Sequence, residues 1–235
     1  GWQTAREKLP WWAAMAGIVY PPHISMEQCS SESTARYKAD AVRRITNRNT
    51  ETTSCDNCMA DLTGGLGVDF SFIAPLFDKA MYVERQQLLC DIARRNFSTL
   101  GIEHAEVLCG DGLEVLKTMK PLLFAYLDPS RRDNHGQRTY ALEDCTPNVI
   151  EAKELLMEKA HTVMVKLSPM VDWRKAVADL ECVSEVHIVA VKNECKEMLV
   201  VMQRGHQQGA RLFCVNDGEL VEFDETEMNH ARHVI

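Results

Sequence analysis

A glycine-rich turn flanked by two acids is the stretch of this sequence best suited to hold a ligand. Glycines occupy positions 64, 65 and 67, with Asp61 before them and Asp69 after them. Because glycine lacks a Cβ atom, such a turn can bend sharply and approach a ligand closely. A dinucleotide site would have a third glycine where this sequence has Phe70, and would set a pyrophosphate on the helix N-terminus. Two carboxylates repel a pyrophosphate and favour a ligand that carries an ammonium and a sulfonium, so phosphate binding is the weaker interpretation.

Two further polar signals follow predicted strands. Glu84 and Arg85 come about 20 residues after the glycine turn, where an acid can accept both hydroxyls of a ribose; a surface carboxylate is the alternative. Asp111 and Gly112 follow the next strand. Asp111 either accepts the exocyclic amine of adenine, with an adjacent backbone N–H at the ring nitrogen, or caps the following helix.

The fourth predicted strand is followed by four residues suited to meet a second ligand: Asp128, Pro129, Ser130 and Arg131. Proline restricts the backbone here, so that nearby carbonyls and the Asp128 carboxylate can point into a site. Arg131 can stack on a base or pair with a phosphate. Equally, Arg131 and Arg132 can form a structural cluster with Asp133 or Glu143.

Alternating strands and helices must position these residues. Strands are predicted at five apolar runs: 58–62, 81–85, 105–109, 122–127 and 162–167. Helices predicted between them indicate a parallel sheet, covered on both faces, whose carboxyl ends form a ligand-binding edge. The last runs, 185–191 and 197–203, are separated by a turn too short for a helical crossover and should pair antiparallel. Asp217-Gly218 predicts a further hairpin.

The spacing Asp61-x-Thr63-x-Gly65-x-Gly67 resembles motif I of the class I S-adenosylmethionine-dependent methyltransferases. The predicted sheet is similar to their seven-stranded, Rossmann-like α/β sheet, which is mostly parallel with an antiparallel last strand. More narrowly, segments 61–69, 82–86 and 127–132 resemble a bacterial methyltransferase family with a C-terminal THUMP-like domain. The resemblance implies S-adenosyl-L-methionine as the cofactor, held by Asp61, Thr63, Gly65, Gly67, Asp69, Glu84, Arg85, Asp111 and Gly112.

The predicted domains are an N-terminal helical extension or linker (1–53), a cofactor-binding domain (54–205) and the start of a truncated THUMP-like module or tail (206–235). In many methyltransferases a helix before the first strand closes over the methionine end of the cofactor. Its contacts here would be Gln28, Ser30 and Thr34; the alternative is an ordinary helix start. Arg43, Arg44 and Arg48 form either a solvated basic stretch or a phosphate-contacting patch.

The resemblance implies that the chain methylates a nitrogen atom of RNA, either ribosomal RNA or transfer RNA. The sequence departs from the Asp-Pro-Pro-aromatic pattern of nucleic-acid amino methyltransferases at Ser130 and Arg131, and we expect Asp128 to orient the amine. The alternatives are a methyltransferase for a protein or small molecule and a non-catalytic binding module. A nicotinamide oxidoreductase is disfavoured by Phe70 and the late hairpin.

The composition of the chain bears on its partners, its cellular compartment and its metal content. A net charge of −8 opposes nucleic-acid binding by the whole surface but allows a local basic patch. Nine scattered cysteines favour a reducing cytoplasm. Cys55-x-x-Cys58 without a partner pair is a weak zinc signal, so no metal is expected, and Cys195 is the one candidate nucleophile near the late strands. No run approaches the roughly 20 apolar residues of a membrane span. The oligomeric state is not predicted.

Overall fold

The protein is described by a computed structural model at residues 2–21, 29–49, 57–131 and 142–224. Its chain divides into two compact units, Gly1–Ala125 and Tyr126–Ile235. The division falls between Ala125 and Tyr126, inside the strand Leu122–Leu127. Among the described residues, no helix has both the length and the apolar character needed to cross a membrane.

The described residues of the first unit form a parallel sheet and six helices. The strands are β1 (Cys58–Asp61), β2 (Lys79–Glu84), β3 (Ala105–Cys109) and β4 (Leu122–Leu127), in the order β4-β1-β2-β3. The helices are α1 (Trp2–Lys8), α2 (Pro10–Ala14), α3 (Glu32–Asn49), α4 (Val68–Ile73), α5 (Gln87–Thr99) and α6 (Gly112–Thr118), with a 3-10 turn at Ala74–Leu76. β2 pairs parallel with both β1 and β3. Every residue of β1 and β4 is buried, as expected for strands of a parallel sheet that is covered on both faces.

The N-terminal helices pack on the helix that follows the glycine turn. Leu9 and Trp12 share a buried cluster with Leu66 and Val68. The Trp12 indole N–H donates to the Ser71 hydroxyl of α4 at 3.2 Å, which satisfies its polar atom inside the core. The first residues of the chain therefore stabilise the element that begins at the turn.

The second unit contains a mixed sheet. Its strands are β7 (Ala160–Leu167), β8 (Val183–Val191), β9 (Glu194–Gln203), β10 (Arg211–Asn216) and β11 (Glu219–Phe223), in the order β11-β10-β8-β9-β7. In the described part of this unit, two helices, α7 (Val149–Lys159) and α8 (Trp173–Leu180), and a 3-10 turn (Leu142–Asp144) accompany them. β9 runs antiparallel to both β7 and β8, so the predicted late antiparallel pairing is confirmed. A short antiparallel pair, β5 (Ser130–Arg131) and β6 (Cys145–Thr146), forms a separate sheet.

The predicted α/β class is confirmed, but the described residues contain more strands than the seven predicted. β10 pairs parallel with β8, and β11 closes the predicted hairpin across Asp217-Gly218. Phe213 of β10 is buried. β10 therefore extends the sheet of the second unit by burying apolar side chains, whereas every residue of β11 is exposed. The assignment of residues 206–235 to a THUMP-like module stays a prediction.

Candidate functional site

The glycine turn between β1 and α4 has one position left open. Gly65 has φ 56° and Gly67 has φ 81°, both in the left-handed region that favours glycine. A Cβ at Gly64 would lie 2.2 Å from the Tyr82 ring, and one at Gly67 would lie 2.7 Å from the Phe97 ring. A Cβ at Gly65 would meet nothing closer than the Thr63 carbonyl oxygen at 3.7 Å. The outer two glycines are therefore required by packing, whereas Gly65 leaves room for a ligand at the backbone.

Glu84 lies directly beside this open position. Its Oε2 accepts the Gly65 N–H at 2.9 Å, and its Oε1 accepts the Gln86 N–H at 2.8 Å. Tyr82 holds the other backbone polar group of the same residue, since its hydroxyl donates to the Gly65 carbonyl. Burial, together with the nearby Glu84 and Asp61 carboxylates, raises the pKa of Tyr82 far above its ordinary value, so the phenol stays a donor. The end of β2 thus places an oriented carboxylate against the turn.

Asp111 and Gly112 close the end of β3 against β1. Asp111 Oδ1 accepts the N–H groups of Leu113 and Glu114 at 2.9 and 3.1 Å, so the helix-cap alternative is what the structure contains. Its Oδ2 accepts from the Arg85 guanidinium. Burial raises the pKa of Asp111, but the backbone and Arg85 hydrogen bonds outweigh it and hold that pKa below the ordinary value. A contact of Asp111 with adenine stays a prediction.

The two acids that flank the turn have different surroundings. Asp61 is buried, and its Oδ1 accepts the Thr63 N–H at 3.0 Å, which shapes the start of the turn. Asp69 Oδ2 accepts the Ser30 hydroxyl at 2.8 Å, and its Oδ1 lies 3.2 Å from the Lys38 ammonium. Lys38 is 0% exposed.

A buried lysine therefore offsets one of the two charges on which the cation-binding argument rests. The sequence reasoning missed Lys38, although the signal was present. It lies in α3 between buried apolar residues at helical spacing, Ala35, Ala39 and Val42, and a lysine on such a stripe needs a buried anion.

Two of the three residues predicted to contact the cofactor from the N-terminal segment, Ser30 and Thr34, lie in the described part of the chain. Ser30 touches Asp69, as above, and the Thr34 hydroxyl donates to the Ser31 carbonyl at 3.1 Å. Gln28 lies outside the described residues. Their roles toward a cofactor stay predictions.

In the second unit, Asp128 follows β4 and pairs with a lysine that the sequence reasoning did not assign. Asp128 Oδ2 lies 2.5 Å from Lys166 Nζ, on the penultimate residue of β7. Pro129 is buried, and Ser130 and Arg131 form β5, where the Ser130 hydroxyl donates to the Thr146 carbonyl at 3.4 Å. Arg132 and Asp133 lie outside the described residues, while Glu143 accepts from Lys175 at 3.1 Å. A charged lysine inside an apolar strand was the available signal for Lys166.

The cysteines of the described residues show no reactive arrangement. Cys58 is buried, and its thiol donates to the Pro121 carbonyl at 3.9 Å; Cys55 lies outside the described residues. Burial raises the pKa of Cys195, which lowers its thiolate fraction and disfavours a nucleophilic role. Within the described residues, no group of three or more His, Cys, Asp or Glu side chains is arranged to hold a metal ion.

Solved structures of other proteins have a fold similar to that of this chain. No protein-family model and no curated protein matches the sequence. The chain is 30% identical to a "putative methyltransferase" from Porphyromonas gingivalis W83, with a TM-score of 0.81 over 100% of this chain and 57% of that one. The chain thus spans less than two thirds of that relative.

Two more distant structures share the fold alone. A "putative RNA methyltransferase" from Pyrococcus horikoshii is 13% identical, with a TM-score of 0.54 over 86% of this chain and 98% of that one. An O-methyltransferase from Bacillus cereus, solved in complex with SAH, is 11% identical, with a TM-score of 0.53 over 86% and 91%. The chain therefore has the mostly parallel α/β fold found in S-adenosylmethionine-dependent methyltransferases.

Proposed function

We propose that the chain is a methyltransferase that uses S-adenosyl-L-methionine. The observation that carries the proposal is the contact between Glu84 and Gly65, at 2.9 Å across the ends of β2 and β1. An acid beside an unobstructed glycine backbone suits a ligand with a ribose and a cationic tail. It suits a diphosphate poorly, because the carboxylate occupies the turn N–H that a phosphate would use.

The residues of the first unit fit the cofactor in three parts. Glu84 accepts the ribose hydroxyls on its remaining lone pairs and keeps its bond to the Gly65 N–H. Asp111 and the Gly112 backbone contact the adenine in this proposal, and Asp61, Thr63, Gly65 and Gly67 contact the methionine end. Asp69 acts through its buried pair with Lys38 and Ser30, which holds the start of α4. When bound, the cofactor supplies an electrophilic methyl group on a sulfonium, and the protein holds the acceptor in line with it.

The acceptor proposed is a nitrogen of RNA, ribosomal or transfer. Asp128 orients the amine by accepting a hydrogen bond from one of its N–H groups. No strong base is required, because the methylated product loses its proton readily to water. Support comes from the Asp128-Pro129 turn after β4 and from the Pyrococcus horikoshii neighbour, whose name includes RNA. The net charge of −8 favours a second candidate, a protein or small-molecule acceptor.

We further propose that residues 54–205 form the catalytic domain, flanked by 1–53 and 206–235, and that the reaction takes place in the reducing cytoplasm. No disulfide joins any two of the eight cysteines in the described part of the chain, as that compartment favours.

Calorimetric titration with S-adenosylhomocysteine tests the proposal. The wild-type chain should bind it, and Glu84→Gln should weaken binding by about tenfold or more, since hydrogen bonds to a charged group contribute roughly 1.5–3 kcal/mol. Glu106→Gln, on the exposed face of β3, is the matched control and should bind as the wild type does. Absence of binding by the wild-type chain would refute the proposal. Tritiated methyl transfer into RNA, protein or metabolite pools then separates the acceptors.

A further inference from the structure

Lys166 is a charged residue in a strand, β7, that is mostly buried. From Val163 onward the strand is otherwise buried and apolar, and Lys166 lies between the buried residues Val165 and Leu167. Its side chain is 14% exposed. Burying an ammonium to this extent is unfavourable unless an anion pairs with it. A leucine or valine would serve the strand better, so packing does not account for the lysine.

The anion that meets Lys166 is Asp128, the residue proposed above to orient the acceptor nitrogen. Nζ lies 2.5 Å from Asp128 Oδ2, a charge-assisted hydrogen bond. The Asp128 side chain is 39% exposed, so an incoming ligand can reach a carboxylate that Lys166 holds in place. A carboxylate restrained in this way presents a fixed acceptor to an incoming N–H group.

We propose that Lys166 positions Asp128 and makes the acceptor site selective for an uncharged nitrogen, such as the exocyclic amine of a nucleobase. This inference rests on the proposed function. The ammonium offsets the carboxylate charge, so the pair attracts an alkylammonium much less than an isolated carboxylate would. A neutral amine loses nothing by this, because it needs only a hydrogen-bond acceptor. It also keeps its lone pair for attack on the methyl group.

The same pair disfavours the side chain of a protein lysine as acceptor. That group is charged near neutral pH and would approach a second ammonium. An RNA base amine is uncharged under the same conditions. The Asp128–Lys166 pair thus favours RNA over polypeptide as the macromolecular acceptor.

Methyl-transfer kinetics on the whole chain test this role. Tritiated S-adenosylmethionine is supplied with unmodified RNA transcripts in one reaction and with a lysine-rich polypeptide in another. We expect incorporation into RNA. Lys166→Met should lower kcat by roughly a hundredfold, the scale expected when a reacting group is misplaced by about 1 Å, with little change in the KM for RNA. Lys166→Arg should restore most of kcat, because it returns the positive charge.

Two further measurements keep the result interpretable. Lys153→Met removes a lysine of similar exposure, 17%, which pairs with Glu181 in the same unit, and should leave kcat unchanged. S-adenosylhomocysteine binding should stay within about threefold of wild type in every variant, because Lys166 is proposed to act on the acceptor alone. Should Lys166→Met fail to fold, Lys166→Gln replaces it.

The outcomes that overturn this inference differ from those that overturn the proposed function. Full kcat in Lys166→Met, incorporation into the polypeptide in place of RNA, or no rescue by arginine refutes the role of Lys166. A chain that binds no S-adenosylhomocysteine refutes the function on which that role rests.

Discussion

A methyl group added at Gly112 would lie 2.0 Å from the carbonyl oxygen of Leu62, so the ends of β1 and β3 can meet only if this residue is glycine. We predict that Gly112→Ala lowers the free energy of unfolding by about 2–3 kcal/mol, because backbone must move to accept the methyl group. Urea denaturation measures the change. Gly110→Ala is the control, since its Cβ would meet only the Val115 side chain at an ordinary 3.5 Å. Equal losses of unfolding free energy in the two variants would contradict the close contact between Gly112 and the Leu62 backbone.

The ion pair of Asp111 predicts a pH dependence with a definite sign. The folded pKa of Asp111 lies below its ordinary value, so its ionised form stabilises the fold above about pH 4. That contribution is lost as the pH falls through the folded pKa. Asp111→Asn keeps an oxygen for the helix cap but removes the charge that pairs with Arg85. We expect Asp111→Asn to lower Tm by about 1–3 °C at pH 7, and the difference should narrow at pH 3. A difference that grows in acid would contradict this account.

Single residues also mark the limit of what the sequence could predict. The glycine turn, Glu84 and Asp111 were identified from spacing, because turn geometry and strand ends leave local patterns. The pairs Lys38–Asp69 and Lys166–Asp128 join residues 31 and 38 positions apart in sequence. Local patterns do not specify such partners, although a lysine within an apolar stripe signals that one exists.

At the scale of elements, a buried ion pair joins α3 to α4. Lys38 contacts both Asp69 and Ser30, and α4 begins at the end of the glycine turn. Lys38→Met should lower the free energy of unfolding by about 3–5 kcal/mol, because it leaves a buried carboxylate without its cation. The double variant Lys38→Met with Asp69→Asn should recover much of that loss. Both are measured by urea denaturation.

The control for the Lys38–Asp69 ion pair is a solvent-exposed ion pair within α3. Arg43 pairs with Asp40 at 2.7 Å, with both side chains more than half exposed. Arg43→Met should change stability by less than about 0.5 kcal/mol, as surface pairs usually do. A loss as large as that of Lys38→Met would show that α3 responds to any substitution.

Strand positions were predicted well because β1 and β4 are buried on both faces and read as continuous apolar runs. The antiparallel β8–β9 pair followed from the shortness of the turn between them. The pairing of β10 with β8 was not predicted. The hairpin signal at Asp217-Gly218 predicts that β10 pairs with β11, but it carries no information about the strand on the other side of β10. That neighbour depends on the order of strands in the folded sheet.

At the scale of the whole molecule, β10 is part of the core of the second unit. Phe213 is 1% exposed and stacks on His187 of β8, with ring centroids 4.7 Å apart. Phe213→Ala should lower the free energy of unfolding by about 3–5 kcal/mol. Leu220→Ala, on the exposed strand β11, should change it by less than about 0.5 kcal/mol. Stability unchanged by Phe213→Ala would mean that the hairpin is an appendage.

The central claim is that the turn at Gly65 and the carboxylate of Glu84 hold S-adenosylmethionine, and a crystal structure of the chain with S-adenosylhomocysteine tests it most directly. We expect the ribose hydroxyls within hydrogen-bonding distance of Glu84, about 2.5–3.0 Å between oxygen atoms, with the amino-acid end against Gly65. Crystals soaked with NAD should show no ligand there. The reverse result, with the dinucleotide bound at the turn and the homocysteine ligand absent, would contradict the account.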